Sequence, residues 1–232
     1  MIESTSTTAS ISAPPHRSEI EYPFSDGKPV AETDIHFDAI AALNALLKRF
    51  FKGRDDVYVA SNNLIYYTEG DIGDRFSPDV YVVLGVKNYL RRTYLIWAEK
   101  KPPTVVFEFT SRGTSGEDRG SKKELCASLG VKEYFLFDPE HDYLKPAFQG
   151  YELFRGVYRP IRADKDGMLT SRSLGLKFRD DGRYLAAFDA ATGKQILRMD
   201  DALDEAEERA SNAEAEAERL RREIERLKGR KN

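Results

Sequence analysis

Apolar residues first recur at helical spacing in the stretch after residue 33. Ile40, Leu43, Leu47 and Phe50 form one stripe, Thr33 or Asp34 can cap it, and together they predict a helix over 33–51. The period then drops to two. Val57–Ala60 and residues 63–67 read as a hairpin across Ser61-Asn62, and 80–86 and 104–110 read as central strands, β-branched and almost continuously apolar. A second helical stripe of Leu125, Cys126 and Leu129 predicts a helix over 117–129 that stops at Gly130. Glu133–Phe137 follows as a buried strand closed by Asp138-Pro139. Beyond Tyr151 the apolar stretches are shorter and more polar, over 151–154, 157–161, 176–179 and 185–189, and read as a meander beside the main sheet. Helix, antiparallel strands, strand–helix–strand and a β-rich extension in that order predict a mixed α/β domain.

The last residues carry a different pattern. Met199, Leu203, Ala206, Ala210, Ala213, Ala217, Leu220, Ile224 and Leu227 alternate in steps of four and three, a heptad seam on one long helix. Ile224 at one seam position with Leu220 and Leu227 at the other suits a parallel dimer, while the alanines in mid-seam weaken it. A lone helix held by its many charges is the alternative. At the opposite end, residues 1–20 are rich in Ser, Thr and Ala with Pro14-Pro15, and read as a disordered leader. The expected organisation is a leader over 1–20, an α/β domain over 21–198 and a coiled-coil tail over 199–232 that makes a homodimer.

Charge changes the picture little. The tail from Met199 holds 11 acidic and 8 basic residues, so the net charge of −3 resides there and the body is balanced. A neutral body neither points to a nucleic-acid partner nor excludes one, since polyanion binding depends on local patches. The single cysteine, Cys126, rules out an intramolecular disulfide and fits a reducing compartment. No apolar run reaches membrane-spanning length and the first twenty residues lack the apolar core of a signal peptide, so a soluble cytoplasmic protein is expected.

The candidate chemistry lies on the second helical stripe. Counting back from Leu129 in steps of three and four places Lys122, and then Asp118, on the inward side. An ammonium aimed at a sheet needs an anion, because a buried unpaired charge is costly. Glu108, in the strand just before this helix, supplies one. A carboxylate facing a lysine in this way is either a buried ion pair or a catalytic centre. Asp79 stands at the entrance to the neighbouring strand, after Pro78. Asp79 and Glu108 together could hold a hard divalent cation through carboxylate oxygens. Lys122 could then orient a water or stabilise charge on phosphorus. Asp118 has a favourable helical ion-pair spacing to Lys122 and sits near a helix N-terminus, which accounts for it without chemistry. Lys123 points about 100° away from Lys122 around the helix.

These residues resemble a known family. Pro78-Asp79, Glu108-Phe109-Thr110, Asp118-Arg119-Gly120-Ser121-Lys122 and Gly130-Val131-Lys132-Glu133-Tyr134-Phe135-Leu136-Phe137-Asp138-Pro139, in that order, are similar to the Uma-type restriction endonucleases of the PD-(D/E)XK nuclease superfamily. The resemblance covers roughly residues 30 to 195. It implies a restriction-endonuclease-like mixed sheet flanked by helices, with the β-rich extension and the C-terminal coiled-coil helix appended. It also implies Mg²⁺- or Mn²⁺-dependent endonucleolytic hydrolysis of DNA. Asp79 and Glu108 would be the metal ligands, the Phe109 carbonyl a possible third, and Asp79, Glu108 and Lys122 the catalytic set. One position departs from the superfamily pattern: Thr110 stands two after Glu108, where a lysine is usual, and Lys122 on the following helix would replace it. The alternative is a non-catalytic nuclease-fold module that binds nucleic acid or a partner and assembles through its tail.

Other candidates carry less. His36 shares the first helix's stripe and reads as a satisfied core histidine, although that helix could bring Glu32 or His36 to the site. His16 and His141 are isolated, no Cys/His cluster has zinc spacing, and no phosphate-cradling glycine motif is present. Arg112, Arg119 and Lys123, with the pairs Arg91-Arg92 and Lys100-Lys101, could meet phosphates or simply face solvent. Residues 111–117 read as a polar loop that could rim the site.

Overall fold

The computed structural model describes residues 20–25, 33–111 and 113–229. The expected leader therefore falls, but for Ile20, outside the described residues, as do Glu32 and Arg112. The chain divides into two compact units, Met1–Ile196 and Leu197–Asn232.

In the first unit, helix α1 (Asp34–Phe50) opens on Thr33, whose hydroxyl accepts the His36 backbone N–H as an N-cap. Strands β1 (Val57–Ala60), β2 (Ile65–Tyr66), β3 (Arg75–Phe76), β4 (Val80–Leu84) and β5 (Tyr94–Leu95) follow, then the single turn α2 (Ile96–Glu99). Strand β6 (Val105–Phe109) leads through helices α3 (Ser115–Arg119) and α4 (Ser121–Leu129) to β7 (Glu133–Phe137). Strands β8 (Phe148–Phe154), β9 (Val157–Pro160), β10 (Leu169–Ser171), β11 (Leu176–Asp181), β12 (Tyr184–Asp189) and β13 (Gln195–Ile196) complete the unit.

The main sheet has the order β1-β4-β6-β7-β8-β9. Its neighbours run antiparallel except β6 and β7, which are parallel and are joined by the α3–α4 crossover. This is the expected mixed sheet flanked by helices, and strands β10 to β13 form the β-rich extension as a four-stranded sheet of their own. One face of the main sheet is built on phenylalanines. Phe107, Phe109, Phe135 and Phe137 pack there against Leu43 and Leu47 of α1 and Leu176 and Phe178 of the extension. The other face is tyrosine-rich, with Tyr58, Tyr81, Tyr134, Val106 and Leu136 beneath Cys126 of α4. At the β7–β8 pair Gly150 stands opposite Phe135, and a Cβ there would come within 2.7 Å of the ring, so the ring occupies that space only because the residue is glycine.

Several local expectations are corrected. Strand β1 does not form a hairpin with the segment after it: it pairs with β4, and β2 joins β3 and β5 in a separate three-stranded sheet. A type I′ turn needs two residues at positive φ, and here Asn62 alone adopts one, at 53°. All four β1 residues are buried, which a two-residue partner could not achieve and the longer apolar β4 does. The single helix expected over 117–129 is two helices that meet at Gly120, a residue with poor helix propensity, and the expected polar rim is already helical from Ser115. Gly130 closes α4 in the left-handed conformation at φ 83°, as its position required. The strands beyond Tyr151 do not all form a side meander, because β8 and β9 extend the main sheet itself.

The second unit is α5 (Met199–Gly229), a helix of about 46 Å at ~1.5 Å per residue. Met199, Leu203 and Leu220 of its heptad seam are exposed, and the side chains of Ile224 and Leu227 lie outside the described ones.

Candidate active site

The site forms where β4 begins, beside the C-terminal end of β6. Pro78 has no N–H to continue the ladder, so pairing stops with Val80 opposite Phe107. Phe109 directs its backbone groups to the same side as Phe107, past the end of β4, and finds side chains there in place of a strand. Its N–H donates to Asp79 Oδ2 at 2.6 Å, and its carbonyl accepts from His36 Nε2 of α1. One step beyond the last strand pair, the Asp79 backbone N–H donates to Glu108 Oε2 at 3.4 Å. Glu108 thus lies beside Asp79 with its side chain on the tyrosine-rich face, along with Val106 and Thr110.

Helices α3 and α4 close over that face. Tyr134 of β7 donates its hydroxyl to the Asp118 carbonyl at 2.8 Å, tying the end of α3 to the sheet. Lys122, in the first turn of α4, reaches inward to Glu108 Oε2 at 3.2 Å and to Asp118 Oδ1 at 3.1 Å. Glu108 and Asp118 are both fully buried, while Lys122 keeps 16% of its side chain exposed. The three expected residues are therefore brought together: Glu108 touches both Asp79 and Lys122. Lys123 turns away and stacks 3.3 Å above the Tyr151 ring. Thr110, where the superfamily pattern has lysine, is buried, and its hydroxyl has no hydrogen-bond partner.

Electrostatics follow from burial. Desolvation pushes the Asp79 carboxyl up to about 6, against the opposing pull of Lys122, the Phe109 N–H and His36. Glu108 is driven well above the usual carboxylate range by the same desolvation, with Lys122 opposing and the Asp79 and Asp118 charges adding to it. Burial works to strip the proton from Lys122, but Glu108, Asp118 and Asp79 outweigh it and hold the ammonium charged. With all three acids ionised, one ammonium faces three carboxylates, an excess of two negative charges in a largely buried cluster. Glu108 Oε1 is buried with no hydrogen-bond partner. That hard oxygen donor and that charge excess suit one divalent cation. Among the described residues no three His, Cys, Asp or Glu side chains converge as a ready ligand set, so waters or backbone oxygens would complete the shell.

The family model Uma2, described as "Putative restriction endonuclease", matches residues 11–181. The chain belongs to this family. Membership confirms the resemblance read from the motifs and places the chain among nucleases, a class of hydrolase. A crystal structure described as "a putative nuclease belonging to DUF820" from Anabaena variabilis ATCC 29413 superimposes with a TM-score of 0.46 and 15% sequence identity, over 65% of this chain and 81% of that one. No curated protein matches the chain. None of the described helices is long and apolar enough to cross a membrane.

Two residues enter the site beside the expected set: Asp118, to which the sequence assigns no chemistry, and His36, which reads first as a core histidine although the first helix could bring it there. Asp118 has the expected i,i+4 contact with Lys122, but it is buried and so shares that charge with Glu108. Its place on the inward stripe was the available signal. His36 is buried as expected of a core histidine, yet it spends its ring N–H on the β6 carbonyl beside Asp79. The carboxylates of two residues that carry the family resemblance make structural hydrogen bonds. Glu133 accepts from the Ser171 hydroxyl and the Ser173 N–H, and Asp138 gathers the N–H groups of Glu140, Tyr143 and Leu144.

Proposed function

We propose that this chain is a Mg²⁺- or Mn²⁺-dependent DNA endonuclease in which Asp79 and Glu108 hold the cation and Lys122 completes the catalytic set. The observation that supports it most is the state of Glu108: fully buried, one oxygen on the Lys122 ammonium and the backbone of Asp79, the other oxygen without a partner. A divalent cation bound there supplies a Lewis acid and a more acidic water for phosphodiester hydrolysis. The chain's own groups then have separable tasks. Asp79 and Glu108, ionised, would provide two oxygens to the cation, and the Phe109 carbonyl has a lone pair left that could provide a third. Lys122, held charged by Glu108 and Asp118, offers a fixed positive charge to a phosphoryl oxygen as negative charge builds on it. Asp118 keeps that ammonium aimed inward.

The seam residues Met199, Leu203 and Leu220 of α5 are exposed on the single chain, and we read the seam as a parallel coiled coil joining two copies. Cys126 is buried and free, which fits a cytoplasmic protein. A rival reading, a nuclease fold that binds without cutting, would rest on Thr110 standing in the place of the strand lysine. Incubation of the purified protein with plasmid DNA, linear DNA and RNA, in Mg²⁺ or Mn²⁺ and in chelator, separates the two. Metal-dependent strand breaks in DNA are expected. Salt-sensitive binding with no breaks under any condition would favour the rival.

A further inference from the structure

We propose that His36 is a positioning residue of the active site, fixing the Phe109 carbonyl and with it the end of β6 in the arrangement that binds a divalent cation. The proposal rests on the metal-site reading above and extends it to α1. A carbonyl oxygen only accepts, so Nε2 of His36 must carry the proton in its contact with Phe109. The tautomer is thereby set. The residue is held from several directions: its backbone N–H goes to the Thr33 cap, its ring meets the Phe109 ring edge-on at 6.1 Å and 86°, and only 7% of it is exposed.

What makes this more than a satisfied carbonyl is where the carbonyl lies. Phe109 has its N–H on Asp79 and its C=O on His36, so the residue following Glu108 is clamped by site side chains at a point where β4 has run out. The two metal-binding acids flank that clamp: Asp79 is one of its jaws and Glu108 is the preceding residue. A shift of the Phe109 peptide would therefore change the spacing of Asp79 and Glu108 together. His36 accepts no part of the chemistry in this view. It acts through the backbone of Phe109, as an outer hydrogen-bond partner acts on a ligand.

The test is Mn²⁺ titration by calorimetry of the full chain without DNA, with circular dichroism and melting as fold controls. His36→Leu should remain folded and bind Mn²⁺ about 10- to 100-fold more weakly, the range seen when outer partners of metal ligands are removed. His36→Gln, whose amide nitrogen reaches about as far as Nε2, should restore binding to within about threefold of wild type, a difference under ~1 kcal/mol. His36→Asn is too short to reach and should behave like the leucine variant. If the leucine variant fails to fold, the glutamine and asparagine pair carries the comparison. Wild-type and His36→Leu proteins of equal Mn²⁺ affinity would overturn the role of His36 while leaving the metal site standing, as would glutamine and asparagine variants equally impaired. A wild-type protein that binds no Mn²⁺ would overturn both.

Discussion

The Lys122 ammonium lies 3.2 Å from Glu108 Oε2, joining the first turn of a covering helix to the C-terminal end of a buried strand. The same ammonium is 3.1 Å from Asp118 Oδ1, one helical turn back, so a single cation serves two fully buried acids. A buried pair of this kind is weak evidence for stability by itself, because desolvation offsets much of the attraction. It acquires functional sense because a third acid, Asp79, adjoins it and leaves the cluster short of positive charge.

Removing the lysine should therefore be costly in a pH-dependent way. Lys122→Met leaves Glu108 and Asp118 buried without their cation, a loss of about 3 to 5 kcal/mol where both would be ionised. Urea melts of the metal-free variant should show most of that deficit at pH 8 and much less at pH 5, where Glu108, pushed up by burial, can protonate. A deficit of equal size at both values would mean that Lys122 contributes packing alone.

The same burial gives the metal-free protein an unusual slope. Asp79 ionises near 3.8 when unfolded and near 6 when folded, so between those values the native state holds more protons than the unfolded chain. Its contribution to stability is complete below the lower value and lost as pH rises through the upper one. Glu108 is shifted in the same direction. Asp79→Asn abolishes the Asp79 part, so the melting temperature of this variant minus that of wild type should grow between pH 4 and pH 6.5. A flat difference would show that Asp79 is not desolvated.

The β-rich extension should be separable from the chemistry. Glu133 is buried and anchors Ser171 and Ser173 to the start of β7. Glu133→Ala strands those donors, and unfolding free energy should fall by about 1 to 3 kcal/mol. Cleavage per folded molecule should be unchanged. A variant that is fully stable but inactive would place Glu133 in the site instead.

Much of this fold was legible in the chain, for a definable reason. Elements with a strong period and a local stop signal, such as α1 with its Thr33 cap and α4 with Gly130, announce themselves. So did the Glu108–Lys122 contact, because a lysine on an apolar stripe demands a partner and the adjacent strand offered one. The partner of β1 did not, since β1 and β4 are separated by two short strands and only burial of both faces selects the pairing. Strands of two or three residues such as β3, β5 and β13 have no period to read. Asp118 was visible as a helical ion-pair partner, but its burial depends on how α3 and α4 settle on Tyr134, which no local pattern states.

The tail should govern assembly. Its seam residues Met199, Leu203 and Leu220 are exposed on one chain, a state that pairing would relieve. Light scattering of the intact protein should give twice the chain mass, and a form ending at residue 198 should give the monomer. An intact protein that is monomeric at tens of micromolar would leave α5 as a solitary helix.

The metal site proposed around Glu108 is tested most directly by titrating Mn²⁺ into the DNA-free protein and counting bound ions. One ion per chain is expected for the wild type, with binding lost in both Asp79→Asn and Glu108→Gln. Wild-type protein that takes up no ion, or variants that bind as well as it does, would contradict the metal site on which the nuclease reading depends.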